Sequence, residues 1–84
     1  MIGKVNGLLP DAPHIFRLGD KVHVTYREQT HEGEVIIASP NGCSLLVMWN
    51  EQIYPLMYDH QLQTFLDLIT SERVMVTPKS KFAD

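Results

Sequence analysis

A single turn between two apolar runs decides the fold of this chain. Residues 34–50 read EVIIASPNGCSLLVMWN, and the turn is Ser39-Pro40-Asn41-Gly42. Proline suits the first corner of a β-turn, and an Asn-Gly pair supplies the positive φ that tight hairpins need. The flanking runs, residues 34–38 and 43–50, have the length and the β-branched or apolar content of strands. The sequence therefore predicts an antiparallel hairpin here.

Working outward toward the N-terminus, a third strand precedes this hairpin. After the turn signal Gly19-Asp20, apolar and polar residues alternate over positions 21–26. Val22, Val24 and Tyr26 share one face, which is typical of a half-buried strand. Residues 27–32 are polar and predict a loop. We expect residues 1–17 to be an irregular lead-in, with Phe16 and Leu18 as the first side chains to reach the core.

On the C-terminal side, residues 53–58 predict a short strand whose Pro55 belongs at an edge or a bulge, because proline donates no ladder hydrogen bond. Residues 59–62 predict one helical turn capped by Asp59. Residues 62–69 fit helical spacing and strand alternation equally well; we favour a strand at about 64–69. A last strand at 74–77 ends at Pro78.

These elements predict an all-β fold, a small five-stranded SH3-like barrel with an extra C-terminal strand and a short helical turn. The order of strands and turns over residues 18–69 resembles SH3-like barrels, including Tudor and KOW modules. We expect the barrel domain to occupy residues 18–78 and residues 79–84 to form a loose tail.

Composition excludes several classes of function. The chain has 84 residues, one cysteine (Cys43) and a formal net charge of −3, with its basic residues scattered. A disulfide or thiolate zinc site is excluded, and nucleic-acid binding is disfavoured because no basic stripe is present. No run is long and apolar enough to span a membrane, and no secretory signal is evident, so we expect a cytoplasmic protein.

The predicted strand at residues 43–50 is apolar on both faces. Leu45, Val47 and Trp49 alternate with Leu46 and Met48. A small barrel needs only its inner face apolar, so the N-terminal segment, the extra C-terminal strand or another copy of the chain must cover the outer one. We favour a homo-oligomer.

A local motif suggests an enzyme. Gln52-Ile53-Tyr54-Pro55 follows Gly19-Asp20-Lys21-Val22 and residues 31–35, HEGEV, in this order. Together these pieces resemble the plasmid-borne type II dihydrofolate reductases, SH3-like barrels that assemble as homotetramers around a pore. The resemblance implies that Gln52, Ile53 and Tyr54 line a pore for NADPH and a pterin. Val24 stands where that family has a lysine and Glu51 where it has valine, and both changes lower the positive potential that anionic ligands need.

Aromatic side chains suggest a different site. Tyr26, Trp49, Tyr54 and Tyr58, with Glu51 or Asp59 as a carboxylate, match the residue types of Tudor-type cages for methylated lysine or arginine. The alternative is that Tyr26 and Trp49 belong to the core, since both continue apolar faces. The four histidines show no ligand spacing, and we expect no metal site. Cys43 has no neighbouring His–Asp arrangement in the sequence to activate it as a nucleophile.

The sequence favours a non-catalytic interaction module that acts through self-association or a protein partner, with no cofactor. The alternatives are a reductase-like oligomer that binds NADPH and a pterin, and a KOW- or Tudor-like accessory module that binds RNA or a transcription or translation protein.

Overall fold

Six β-strands make up the computed structural model, which describes residues 10–79. The strands are β1 (Lys21–Tyr26), β2 (Gln29–Ala38), β3 (Ser44–Trp49), β4 (Gln52–Asp59), β5 (Thr64–Asp67) and β6 (Arg73–Pro78). No helix occurs within residues 10–79. The predicted all-β class and the extra C-terminal strand are confirmed.

The strands form a closed antiparallel barrel in the order β1-β2-β3-β4-β5-β6. Each strand pairs with the next along the chain, and β6 also pairs with β1. This architecture is compatible with a small SH3-like barrel. Since β6 completes the barrel wall, it does not cover the outer face of β3.

The inward positions of the strands form the core. Strand alternation sends Val22 and Val24 of β1 inward, together with Val35, Val47, Leu56 and Val74, and each of these side chains is at most 1% exposed. The predicted apolar face of β1 is therefore confirmed. Before β1, Ala12 and Phe16 also join the core, whereas Leu18 is 74% exposed, so its predicted core contact is wrong. Leu18 precedes Gly19, whose N–H donates to the Val35 carbonyl at 2.7 Å, so the backbone lies against β2 while the Leu18 side chain faces solvent.

The predicted loop at residues 27–32 is wrong. Only Arg27 and Glu28 form the turn, and β2 begins at Gln29, opposite Tyr26. Both turn residues have positive φ, 53° and 65°. That combination defines a tight two-residue hairpin whose twist matches the strands. Polar residues at the start of β2 face solvent, so their polarity does not distinguish this strand from a loop.

The predicted hairpin at Ser39-Pro40-Asn41-Gly42 is confirmed. The Gly42 N–H donates to the Ser39 carbonyl at 3.0 Å, and the Ser39 N–H donates to the Ser44 carbonyl at 2.9 Å. Within this four-residue turn, only Gly42 has a positive φ, 76°. The side-chain oxygen of Asn41 instead accepts hydrogen bonds from the Ser39 hydroxyl and the Cys43 N–H.

The ambiguous segment at 62–69 contains the short strand β5. Before it, Asp59 caps a single turn: its side chain accepts from the Gln61 and Leu62 N–H groups, and its carbonyl accepts from Gln63. Pro55 lies within β4 at the point where β5 has already ended, because the first β4–β5 pair is Leu56 with Asp67. No ladder hydrogen bond is needed from its nitrogen there.

Candidate binding surfaces

The outward positions of β3, β4 and β5 form a continuous apolar surface, here called the apolar face. Registers place Ile37, Leu46 and Pro55 in one row, and the Leu68 N–H donates to the Pro55 carbonyl at the end of that row. Met48 and Ile53 lie in the row above, and Met57 and Leu66 in the row below. Apart from Ser44, Thr64 and Asp59 at the strand ends, these outward positions are apolar, and none between the strand ends carries a charge.

A shallow groove of about 240 Å³ opens in the middle of the apolar face. Ile37, Leu46, Pro55 and Leu68 form its walls, and the core residues Leu45 and Leu56 form its floor. The β2 register shifts between Val35 and Ile37 beside it. A bulge bends a strand away from its partner, and this bend accounts for the depression.

The opposite wall of the barrel, formed by β1, the first half of β2 and β6, is polar. Lys21 forms an ion pair with Glu34 at 2.8 Å, and Lys79 with Glu32 at 3.3 Å. Arg27 pairs with Glu72 through two hydrogen bonds of 2.8 and 2.7 Å. Three of the five cationic side chains within residues 10–79 are therefore paired with carboxylates. This part of the chain has no cluster of free basic groups that could bind phosphates.

Three of the predicted aromatic residues meet at the barrel end that carries the β1–β2 and β3–β4 turns. Trp49 and Tyr54 stack with ring centroids 3.6 Å apart and an interplanar angle of 6°. Tyr26 packs against both rings at 5.7 and 5.9 Å. Trp49 is 2% exposed, and the stacked faces leave no gap for a ligand between them.

A cation already contacts this aromatic cluster. The Arg27 guanidinium lies 5.1 Å from the centroid of the Tyr26 ring. Its hydrogen bonds to Glu72 raise the pKa of Arg27, so it stays charged. The Tyr26 hydroxyl donates to the buried Asp67 carboxylate at 3.3 Å. These contacts tie the β1–β2 turn to the β5–β6 loop, and they assign the cluster a structural role.

The remaining predicted cage residues do not join the three packed rings of Tyr26, Trp49 and Tyr54. Tyr58 is buried further along β4, where its ring makes an edge contact with Phe65 at 5.2 Å. Glu51 is exposed in the β3–β4 turn. Recognition of methylated side chains stays a prediction, to be checked by titrating methyl-lysine peptides against Trp49 fluorescence.

The three residues of the reductase-like motif lie on two different surfaces of the barrel. The Tyr54 hydroxyl donates to the side-chain oxygen of Gln52 at 3.1 Å, which joins these two side chains at the end of the barrel. Ile53, between them, is 53% exposed and belongs to the apolar face. The three residues would line a common pore only in an assembly of several chains.

Sequence reasoning missed one pairing of chemically active groups. The Cys43 sulfur lies 3.5 Å from Nε2 of His60, because the β2–β3 and β4–β5 turns share one end of the barrel. Cys43 is 2% exposed, and burial raises the pKa of its thiol. The thiol is therefore protonated at neutral pH and shielded from substrates, which does not suit a nucleophile.

Over residues 10–79, no three side chains among His, Cys, Asp and Glu gather closely enough to hold a metal ion. No helix in that part of the chain is long and apolar enough to cross a membrane. The chain matches no protein-family model, and no curated protein or solved structure is significantly similar to it.

Proposed function

We propose that this barrel is a non-catalytic interaction module that associates with a second copy of itself through the apolar face. The observation that carries the proposal is that three adjacent strands carry no charged outward side chain between their ends, where Asp59 at the end of β4 is the first charge. A solvated sheet face normally alternates apolar-in with polar-out. Contiguous exposed apolar surface on a small protein is typical of an interaction site.

The lack of charge on the apolar face favours an apolar partner surface. A partner with a charged surface would find nothing on the apolar face to pair with and would lose hydration on binding. In a symmetric dimer each copy presents the same patch to the other, so an apolar face meets an apolar face. The groove beside Leu46 would then receive a protruding side chain of the partner copy, such as Met57, which is 41% exposed.

The area predicts weak association. The three strands of the apolar face are 6, 8 and 4 residues long, and at about 3.4 Å per residue and about 4.8 Å between strands they cover roughly 300 Å² in projection. A standard interface buries about 800 Å² on each partner. We therefore expect a weak, reversible dimer that dissociates on dilution.

Sedimentation equilibrium of the full chain at 5–500 μM tests the proposal. We expect the mean mass to rise from one chain toward two over this range. Met57→Lys should weaken association at least tenfold, because dimerisation would bury an unpaired charge. The matched control is Met75→Lys, the same substitution at an outward methionine of β6 that is 58% exposed, and it should leave association unchanged.

Two outcomes contradict the proposal. One is a mass of a single chain throughout the range. The other is an equal loss of association in both lysine variants, since that would show an effect of added charge that does not depend on its position.

A second candidate function is the reductase-like oligomer. Its supporting observation is that Ile53 lies on the apolar face, so association there brings this part of the motif of one copy near that of another. Incubation of the full chain with dihydrofolate and NADPH tests it through the absorbance of the cofactor. Oxidation of NADPH that Tyr54→Phe slows at least tenfold would support this candidate, and unchanged absorbance at high protein concentration would remove it.

A further inference from the structure

Strand β6 is only partly paired on one of its two sides. Its pairing with β1 runs from Val74 to Pro78, whereas its pairing with β5 consists of Phe65 with Val74 and Leu66 with Arg73. Beyond Val74, no strand within residues 10–79 lies on the β5 side of β6. The closed barrel therefore retains a short stretch of strand edge.

Backbone direction identifies the unpaired groups. The Lys79 N–H donates to the Lys21 carbonyl at 3.0 Å. Since hydrogen-bonded and non-hydrogen-bonded pairs alternate along an antiparallel ladder, the N–H and C=O groups of Thr77 and Met75 also point toward β1. Those of Val76 point away from β1, to the side where β5 has ended.

The Asp59 turn creates the gap. Antiparallel extension of β5 would place Gln63 opposite Val76, but the Gln63 N–H is already bonded to the Asp59 carbonyl at 2.7 Å. Gln63 also has a φ of 57°, which no strand residue adopts. The chain thus folds away from β6 at the position where a further partner residue would lie.

A groove of about 600 Å³ occupies this gap. Apolar side chains of the core and the lead-in, including Phe16, Phe65 and Val76, line its floor. Arg73 lines one end, and its guanidinium has no carboxylate partner within residues 10–79. The groove shares no lining residue with the groove of the apolar face.

We propose that this groove binds an extended peptide segment of a partner protein, which adds a strand to β6 at Val76. An unpaired strand edge supplies main-chain hydrogen bonds to such a segment, and the floor accepts its alternate apolar side chains. An acidic side chain of the segment pairs with Arg73. This interaction is separate from self-association through the apolar face.

Hydrogen exchange of the full chain, followed by NMR, tests the free edge. The Val76 amide should have a protection factor at least tenfold lower than those of Met75 and Thr77, whose N–H groups face β1. Equal protection at the three positions would mean that the edge is already covered, and it would overturn the proposal.

Titration with acetyl-Ser-Val-Thr-Val-Asp-Val-amide tests strand addition. We expect millimolar peptide to slow exchange at Val76 at least fivefold. Two further peptides carry N-methyl groups on alternate residues, one set for each edge of the strand. A strand added to β6 uses one edge only, so one methylated peptide should lose binding and the other should keep it. Unaltered Val76 exchange with the parent peptide, or equal behaviour of the methylated pair, would contradict strand addition.

A charge reversal tests whether an acidic side chain of the segment pairs with Arg73. Arg73→Glu should weaken binding of the acidic peptide at least fivefold. The control is Arg17→Glu, at an exposed arginine outside the groove, which should leave binding unchanged. Equal weakening in both variants would show that net charge alone attracts the peptide.

Discussion

Arg27 holds two loops together from an unusual backbone position. Its φ is 53°, its guanidinium binds both oxygens of Glu72, and it covers the ring of Tyr26. A planar guanidinium suits this arrangement because it pairs with a carboxylate in two places and also stacks on an aromatic face. One exposed residue thus connects the β1–β2 turn to the β5–β6 loop across the end of the barrel.

The ion pair predicts a pH-dependent stability. The hydrogen bond from Arg27 lowers the pKa of Glu72 from its ordinary value of 4.5. A lowered folded-state pKa stabilises the fold above the unfolded value, and this contribution disappears as pH falls through the folded value. Glu72→Gln should therefore lower the thermal midpoint at pH 7 by a few degrees and have no effect once the pH lies below the lowered pKa of Glu72.

Thermal unfolding followed by circular dichroism at several pH values checks this. Glu28→Gln removes a neighbouring exposed carboxylate that forms no ion pair within residues 10–79, and it serves as the control. An offset between Glu72→Gln and the parent chain that does not shrink as the pH is lowered would contradict the ion-pair explanation.

Two of the hairpin turns use residues that are poorly suited to them. Arg27-Glu28 and Asn50-Glu51 all have positive φ, between 53° and 65°. Glycine or asparagine adopts this conformation with least strain, and only Asn50 among the four is of that kind. The barrel therefore carries backbone strain at the end where its aromatic cluster lies.

Relief of that strain is measurable. Glu51→Gly should raise the free energy of unfolding by roughly 0.5–1 kcal/mol, because glycine adopts positive φ without a steric penalty. Gln52→Gly, one residue further on in extended backbone, should lower it. Urea unfolding of both variants checks the contrast, and destabilisation by Glu51→Gly would show that the glutamate side chain contributes more than the backbone strain costs.

At the scale of elements, local turn chemistry and alternation predicted most strands. The β2–β3 hairpin followed from Pro40 and Gly42, and β1 followed from its alternating valines. The start of β2 did not, because its turn contains no glycine and its polar residues lie on a solvated wall. The continuation of the apolar face onto Met57 and Leu66 required the strand registers, and the β6 edge depended on how early β5 ends. No sequence pattern signals either.

The whole molecule is a barrel with two unlike walls. Ion pairs cover β1, the first half of β2 and β6, whereas β3, β4 and β5 present apolar side chains. A formal net charge of −3 makes two copies repel one another. Self-association is therefore an apolar attraction opposed by a weak electrostatic repulsion.

Salt should strengthen this association. Raising NaCl from about 50 to 500 mM shortens the screening length from roughly 14 to 4 Å and removes most of the repulsion. We expect the dissociation constant of the dimer to fall modestly, as measured by sedimentation equilibrium. A steep rise with salt would instead indicate an interface held by charge pairs, which the apolar face does not contain.

The hydrogen bond from Lys79 to Lys21 brings the two ends of the strand series together. The six strands form a closed ring of paired neighbours, and only the pair β6–β1 is not joined by a loop of the chain. Five of the six pairings join strands adjacent in the chain, so each requires closure of only a short loop. The entropic cost of closing a long loop is therefore confined to the β1–β6 pairing. That cost grows only slowly with the length of the enclosed chain.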